Sequence, residues 1–184
     1  MDTFLPAIEQ PKRMMMKLAY FLTRKKFGKV LTPLKVHSVR LPIAFGIFYG
    51  KISALDKKLI LPREMQMMIR ILTGSINVCL FCLDIGRWFA AKESVSEEKL
   101  AALSDYSSSS LFSEGERAAF DYVTELTMDK SVNAHTFETM SLYYSEREIC
   151  EIVWLVATEH VYNITNIGLN IHSDMLCNVK GSKL

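Results

Sequence analysis

Two cysteines, Cys79 and Cys82, carry the clearest chemical signal in the chain. The stretch Asn77-Val78-Cys79-Leu80-Phe81-Cys82 lies where one hydrophobic segment ends and a second, Leu83–Lys92, begins. An i, i+3 pair at a helix start brings both sulfurs to one face, within reach of a disulfide. The free backbone N–H groups and the positive dipole end of such a helix favour thiolate over thiol. The spacing therefore predicts a redox-active dithiol. Two alternatives stand beside it. The pair can be two small buried hydrophobes that happen to lie three apart. It can also be half of a metal site, but zinc needs two further ligands, and Cys150, Cys177 and His172 form no second CxxC or HxxxH. No metal and no cofactor are expected.

A second constellation lies near the C-terminus. Ile149, Ile152, Val153, Val156, His160, Asn163, Ile164, Ile167 and Ile171 follow helical spacing, which puts His160 and Asn163 on the buried face. A buried imidazole and amide need hydrogen-bond partners, and a polar pocket at the dithiol would supply them. His160 is thus a candidate for acid–base support, the competing reading being a core histidine satisfied by a backbone carbonyl. Glu159, about 100° from that stripe, is expected in solvent or at an interface. His37, His135 and His172 are expected at the surface. The ten methionines suit core filling or subunit contacts. No Gly-rich phosphate loop, GxSxG elbow or HExxH motif occurs, which leaves nucleotide, serine-hydrolase and zincin chemistry without support.

The elements that must position these residues read as all-α, roughly eight helices, with no period-two alternation long enough for a strand. A basic amphipathic helix runs from Lys12 to about Val30. Thr32-Pro33 and Leu41-Pro42 open new segments, and residues 43–54 read as a short, well-buried helix. Leu61-Pro62 starts the next, whose stripe Met65, Met68, Ile69, Leu72 and Ile76 leads to Asn77, the expected N-cap of the cysteine helix. Ser94–Leu103 is a short helix, followed by a serine-rich loop. Capping boxes at Ser113–Glu116 and Ser145–Glu148 start a helix to about Met128 and the longest one, to about Ile171. Between them, residues 133–143 form a shorter helix.

With 184 residues, 49% hydrophobic and 23% charged, the chain suits one globular domain with a full core. The net charge of +2 hides an asymmetry: residues 1–40 carry +7 and the remainder −5. The basic segment has no nucleic-acid motif, so nucleic acid is disfavoured as a partner. A solvated helix pairing with the acidic remainder or a second subunit is preferred to a membrane-surface helix. No run of about 18 apolar residues occurs, so no transmembrane segment is expected. Asp2 comes early and no cleavable apolar leader follows, so no secretory signal is expected. Four cysteines are too few for a disulfide scaffold, and a reducing, cytoplasmic location fits them.

From about Pro33 to Ile171 the chain resembles the carboxymuconolactone decarboxylase family, in its alkylhydroperoxidase D-like branch. The resemblance rests on Leu61-Pro62-Arg63-Glu64, on the run into Cys79 and Cys82, and on Glu148-Ile149 with Tyr162-Asn163-Ile164-Thr165-Asn166. It divides the chain into a basic extension (1–32), a family core (33–171) and a tail (172–184). It implies an all-helical fold and a homo-oligomer, trimer or hexamer. It also implies a peroxidase chemistry in which Cys82 attacks a hydroperoxide, Cys79 resolves the sulfenic acid, and an external thiol reductant regenerates the pair. The family pattern adds a glutamate twelve residues before the first cysteine and a histidine four after the second. Here those positions hold Met67 and Gly86. A proton relay must then come from elsewhere, with His160 or Glu64 as candidates. Otherwise the protein is a non-catalytic or ligand-binding oligomeric helical protein that keeps the fold. A lactone decarboxylase is a weaker reading, since no acid–base pair for it stands out.

Overall fold

The computed structural model describes residues 2–176, so Cys177 and the rest of the tail lie outside it. Among the described residues the chain is all-helical, with eight α-helices, two π-helical turns and one 3-10 turn. The α-helices are α1 (Met14–Phe27), α2 (Tyr49–Asp56), α3 (Arg63–Ile76), α4 (Leu80–Lys92), α5 (Glu97–Ala102), α6 (Glu114–Asp129), α7 (Ala134–Ser141) and α8 (Glu146–Ile167). Among the described residues, no helix is long and apolar enough to cross a membrane.

The core forms where α3 is surrounded by α4, α6 and α8. Met65, Met68, Ile69 and Leu72 of α3 meet Phe120 and Val123 of α6 and Ile152, Leu155 and Val156 of α8. Both capping boxes form: Ser113 with Glu116 starts α6, and Ser145 with Glu148 starts α8. The start of α3 is held from outside. Glu151 of α8 accepts hydrogen bonds from the backbone N–H groups of Ile60 and Leu61, at 2.9–3.1 Å.

Three sequence expectations change. Residues 43–54 are not a buried helix. They form a π-helical turn, Pro42–Phe48, and α2, and Ile43, Ile47 and Phe48 are exposed with Ile52 buried. Helix α8 stops at Ile167, where Gly168 follows, and Ile171 lies beyond it. Its buried face is also rotated from the apolar stripe. Leu155, Thr158, Glu159 and Asn166 point inward, while Val153, Ile167 and Ile164 (66% exposed) point out.

The third change concerns the turn between α3 and α4. Asn77 caps the end of α3, and Cys79 is the N-cap of α4. The Val78 N–H bonds the Ser75 carbonyl and the Cys79 N–H bonds the Gly74 carbonyl, at 3.0 and 2.9 Å. This is a Schellman ending, in which the residue after the C-cap must be left-handed. Val78 takes that conformation at φ 55°, although a β-branched side chain disfavours it. No glycine marks the turn, so the sequence pattern does not show it.

The two chain ends fold over the same side of the bundle. Asp174 accepts bonds from the Thr32 backbone and hydroxyl at 2.7 and 2.6 Å and pairs with Lys29 at 3.7 Å. Val36, Phe81 and Ile171 form a small buried cluster. These contacts fix the π-helical turn Leu34–Ser38 against α4 and the end of α8. Val78 is 70% exposed, so little packing offsets its left-handed backbone. Val78→Gly should stabilise the protein by about 1 kcal/mol, as relief of left-handed strain outweighs glycine's extra chain entropy. Urea denaturation with an unchanged m-value checks it.

Candidate functional site

The site lies at the turn between α3 and α4, against the second half of α8. The Cys79 and Cys82 sulfurs are at disulfide distance, 2.19 Å apart with Cα atoms 5.2 Å apart. Both cysteines are buried, Cys82 being 6% exposed. Cys82 lies in the first turn of α4, where the backbone N–H groups have no carbonyl partner one turn back. Its sulfur receives the Asn166 side-chain amide at 3.5 Å.

Behind the turn runs a line of polar groups in which Asn163 and Glu159 are buried and Asn77, His160, Arg70 and Asp56 half-buried. The Asn77 amide nitrogen donates to Asn163 Oδ1 at 2.7 Å and faces His160 Nδ1 at 3.1 Å. Asn163 in turn donates to Glu159 Oε1 at 2.8 Å. The other Glu159 oxygen pairs with Arg70 at 3.1 Å, and Arg70 pairs with Asp56 at 2.7 Å. Since Asn77 donates toward His160 Nδ1, the imidazole accepts there in its neutral form. Burial lowers the His160 pKa, and the positive charge of Lys130 adds to this.

Glu159 corrects a sequence expectation. It is 6% exposed and ion-paired, not solvated, because the α8 face is rotated toward α3. Burial raises its pKa against the opposing pull of Arg70 and Asn163. It also sits near the dithiol across the bare backbone of Gly74. A Cβ there would stand 3.5 Å from the Cys82 Cβ and 3.8 Å from Glu159 Oε1.

His37 is the second correction. It is 4% exposed, not at the surface, because the two chain ends clasp its turn against the bundle. The ring packs on Phe45, with centroids 4.3 Å apart, and edge-on to Tyr49 at 6.1 Å. Tyr49 packs in turn on Tyr162 at 4.6 Å. Nδ1 of His37 faces the Ser38 hydroxyl at 3.2 Å. Burial drives its pKa down from 6.5 to about 4, and the neighbouring Asn166 side chain holds part of its basicity up. His135 is exposed, as expected, and His172 is half-buried.

The structure therefore brings Cys79, Cys82, His160 and Asn163 to one region, and adds Asn77, Glu159, Asn166 and His37. The helical period alone hid Glu159 and Asn166, because apolar residues occupy the outer face of α8. Glu64 is not part of the site. It lies in the first turn of α3, roughly 20 Å along the axis from Asn77, and pairs with Lys99 at 3.8 Å. Met67 belongs to the apolar core. At Gly86 a Cβ would come within 3.0 Å of Ile71, so α3 fills the space a side chain would need. Among the described residues, no three His, Cys, Asp or Glu side chains group as a metal site.

No protein-family model matches the chain. It is 25% identical over 165 residues to the uncharacterized protein YnjA of Escherichia coli (strain K12), covering 86% of this chain and 88% of YnjA. Among solved structures, the alkylhydroperoxidase AhpD core of a peroxidase-related protein from Ralstonia eutropha JMP134 is similar. It has a TM-score of 0.79 and 17% identity, over 95% of this chain and 94% of that one. A cysteine-to-alanine variant of the debrominase Bmp8, bound to 2,3,4-tribromopyrrole, has a TM-score of 0.80 and 17% identity, over 96% and 94%. The fold is the AhpD-like helical fold found in peroxidase-related proteins.

Two predictions follow from this geometry. Between pH 6.5 and about 4 the unfolded chain binds a proton at His37 that the folded chain refuses. The stability tied to neutral His37 is therefore present above about pH 6.5 and falls by about 3 kcal/mol toward pH 4. In unfolding curves across that range, His37→Gln should lose stability less steeply than the wild type. Gly86→His, which places there the histidine that the family resemblance implies, should destabilise by about 1–3 kcal/mol through overpacking on Ile71 and should not speed thiol alkylation. Thermal melts and an iodoacetamide assay read both effects.

Proposed function

We propose that the protein is a dithiol oxidoreductase that reduces hydroperoxides through Cys79 and Cys82. The observation that carries this reading is the buried sulfur pair at disulfide distance, with Cys82 at a helix N-terminus and its sulfur facing an amide donor. Both features favour a thiolate at Cys82. That thiolate attacks the distal peroxide oxygen, the O–O bond breaks, and the leaving alkoxide takes up a proton. The resulting Cys82 sulfenic acid is attacked by the Cys79 thiol, releasing water and forming the disulfide. An external dithiol then supplies two electrons and two protons to regenerate the pair. Neutral His160, joined to the turn through Asn77, is the candidate for acid–base support.

The same reading takes the protein as an antioxidant enzyme of the reducing cytoplasm. It also takes the outward apolar residues of α8 and of the Pro42–Phe48 turn as contacts within a trimer or hexamer. A second reading is a non-catalytic protein that binds a ligand beside the dithiol. The rings of His37, Phe45, Tyr49 and Tyr162 favour it, since together they offer an aromatic lining. Bmp8, which has the same fold, was captured with a halogenated pyrrole.

A peroxide-consumption assay coupled to a dithiol reductant separates the two. Wild type should turn over, Cys82→Ser should fall to the uncatalysed background, and Cys79→Ser should stop after one turnover with a sulfenic acid that dimedone traps. Peroxide consumption unchanged by Cys82→Ser would sink the oxidoreductase reading. Slow, ordinary thiol alkylation with no reversible Cys79–Cys82 disulfide would favour the binding protein.

A further inference from the structure

With Met67 and Gly86 at the relay positions, something else must set the reactivity of Cys82. Three observations converge on a segment outside the α3–α4–α8 bundle. Asn166 Nδ2 faces the Cys82 sulfur at 3.5 Å. Its other end, Oδ1, is buried and has no hydrogen-bond partner among the described residues, and the same holds for His37 Nε2. The two side chains are neighbours, close enough for Asn166 to affect the basicity of His37. Such orphaned atoms are rare in protein interiors, and two side by side with complementary chemistry call for an account.

Tautomer chemistry supplies it. A neutral imidazole has one donor and one acceptor. The Ser38 hydroxyl can donate to His37 Nδ1, which leaves the proton on Nε2. Nε2–H then takes Asn166 Oδ1 as its acceptor, which pairs the two orphaned atoms with each other. With Oδ1 engaged, the amide cannot flip, and its N–H₂ group is the end that meets sulfur. An Asn free to flip could also present Oδ1 to the thiolate, a repulsive contact.

We infer that His37 and Asn166 form a positioning line that takes the place of the lost relay: His37 locks the Asn166 amide, and the amide donates to the Cys82 thiolate. This inference rests on Cys82 being the attacking thiol. No proton passes along the line, because an amide is a poor carrier. It acts by stabilising the anion. Across Gly74 from Cys82 stand Glu159 and Asn163, and His160 bonds to Asn77. His37 is held in place by the aromatic ring of Phe45, and the docked chain ends hold its turn.

The test uses the full chain carrying Cys79→Ser, Cys150→Ser and Cys177→Ser, so that Cys82 is the lone thiol. The readout is the pH dependence of iodoacetamide alkylation, with thiolate absorbance at 240 nm as a second measure. Asn166→Leu should slow alkylation at pH 7 about tenfold and raise the midpoint by about one pH unit. His37→Phe should shift the midpoint the same way, and His37→Gln, whose amide can still donate to Oδ1, should restore most of the wild-type profile. A midpoint unmoved by Asn166→Leu in protein that is folded by circular dichroism overturns the inference. So does an equal shift from His37→Phe and His37→Gln, which would mean that the imidazole only fills space. If His37→Phe fails to fold, Asn166→Leu and His37→Gln decide alone. Peroxide turnover is measured separately in the wild type. Its absence with an intact Asn166 effect refutes the peroxidase reading only, and turnover without that effect refutes this inference only.

Discussion

The packing of α8 on α3 is the constraint on which the rest depends. Apart from Glu151, the buried face of α8 is apolar in its first half, through Ile149, Ile152, Leu155 and Val156, and turns polar at Thr158, Glu159, Asn163 and Asn166. Polar groups in a poorly polarisable interior must be paired or they cost several kcal/mol each. Their partners come mainly from α3 and the turn after it: Arg70 for Glu159 and Thr158, Asn77 for Asn163. Apolar packing alone would tolerate some rotation of α8 about its axis. The polar half does not, because any rotation strips Glu159 of Arg70 and leaves a buried charge unpaired.

That rotational lock aims Asn166 at the α4 terminus, and the turn at Asn77–Cys79 does the complementary work. In the Schellman ending the Cys79 N–H closes α3 while the Cys79 carbonyl accepts from Leu83 and opens α4. One residue thus serves both helices, with no loop between them to loosen the dithiol. Cys82 follows within the first turn, on a rigid element rather than a mobile one, which is what a geometrically demanding site requires.

The all-helical class, the apolar stripe of α3, the capping boxes of α6 and α8 and the cysteine pair were all legible in the sequence, because each is written in local residue types and spacing. What was not legible depends on tertiary context. The stripe through Ile164 and Ile167 looked like the buried face of α8 because hydrophobicity marks burial against solvent, and here the inward residues are polar and mutually satisfied. Glu159 seemed solvated for the same reason. His37 looked like a surface residue after a basic segment, since no local pattern records that Asp174, more than a hundred residues later, ties Thr32 down and folds that segment over the dithiol.

The charge state of this neighbourhood separates it from the relay that the family resemblance implies. A glutamate–histidine relay beside the cysteines would present an imidazolium once it had accepted the thiol proton, and a charge-assisted bond to sulfur is roughly twice as strong as a neutral one. Here the space beside Gly86 is filled by Ile71, and His37 resists protonation in its buried aromatic setting. The donors left to Cys82 are the helix N-terminus and the Asn166 amide, both neutral. Neutral donors stabilise an anion less, but they would neither add a proton to the site nor release one in the cycle proposed for Cys82. A thiolate held this way keeps more of its own basicity, and with it more intrinsic nucleophilicity, than one fully paired with a cation.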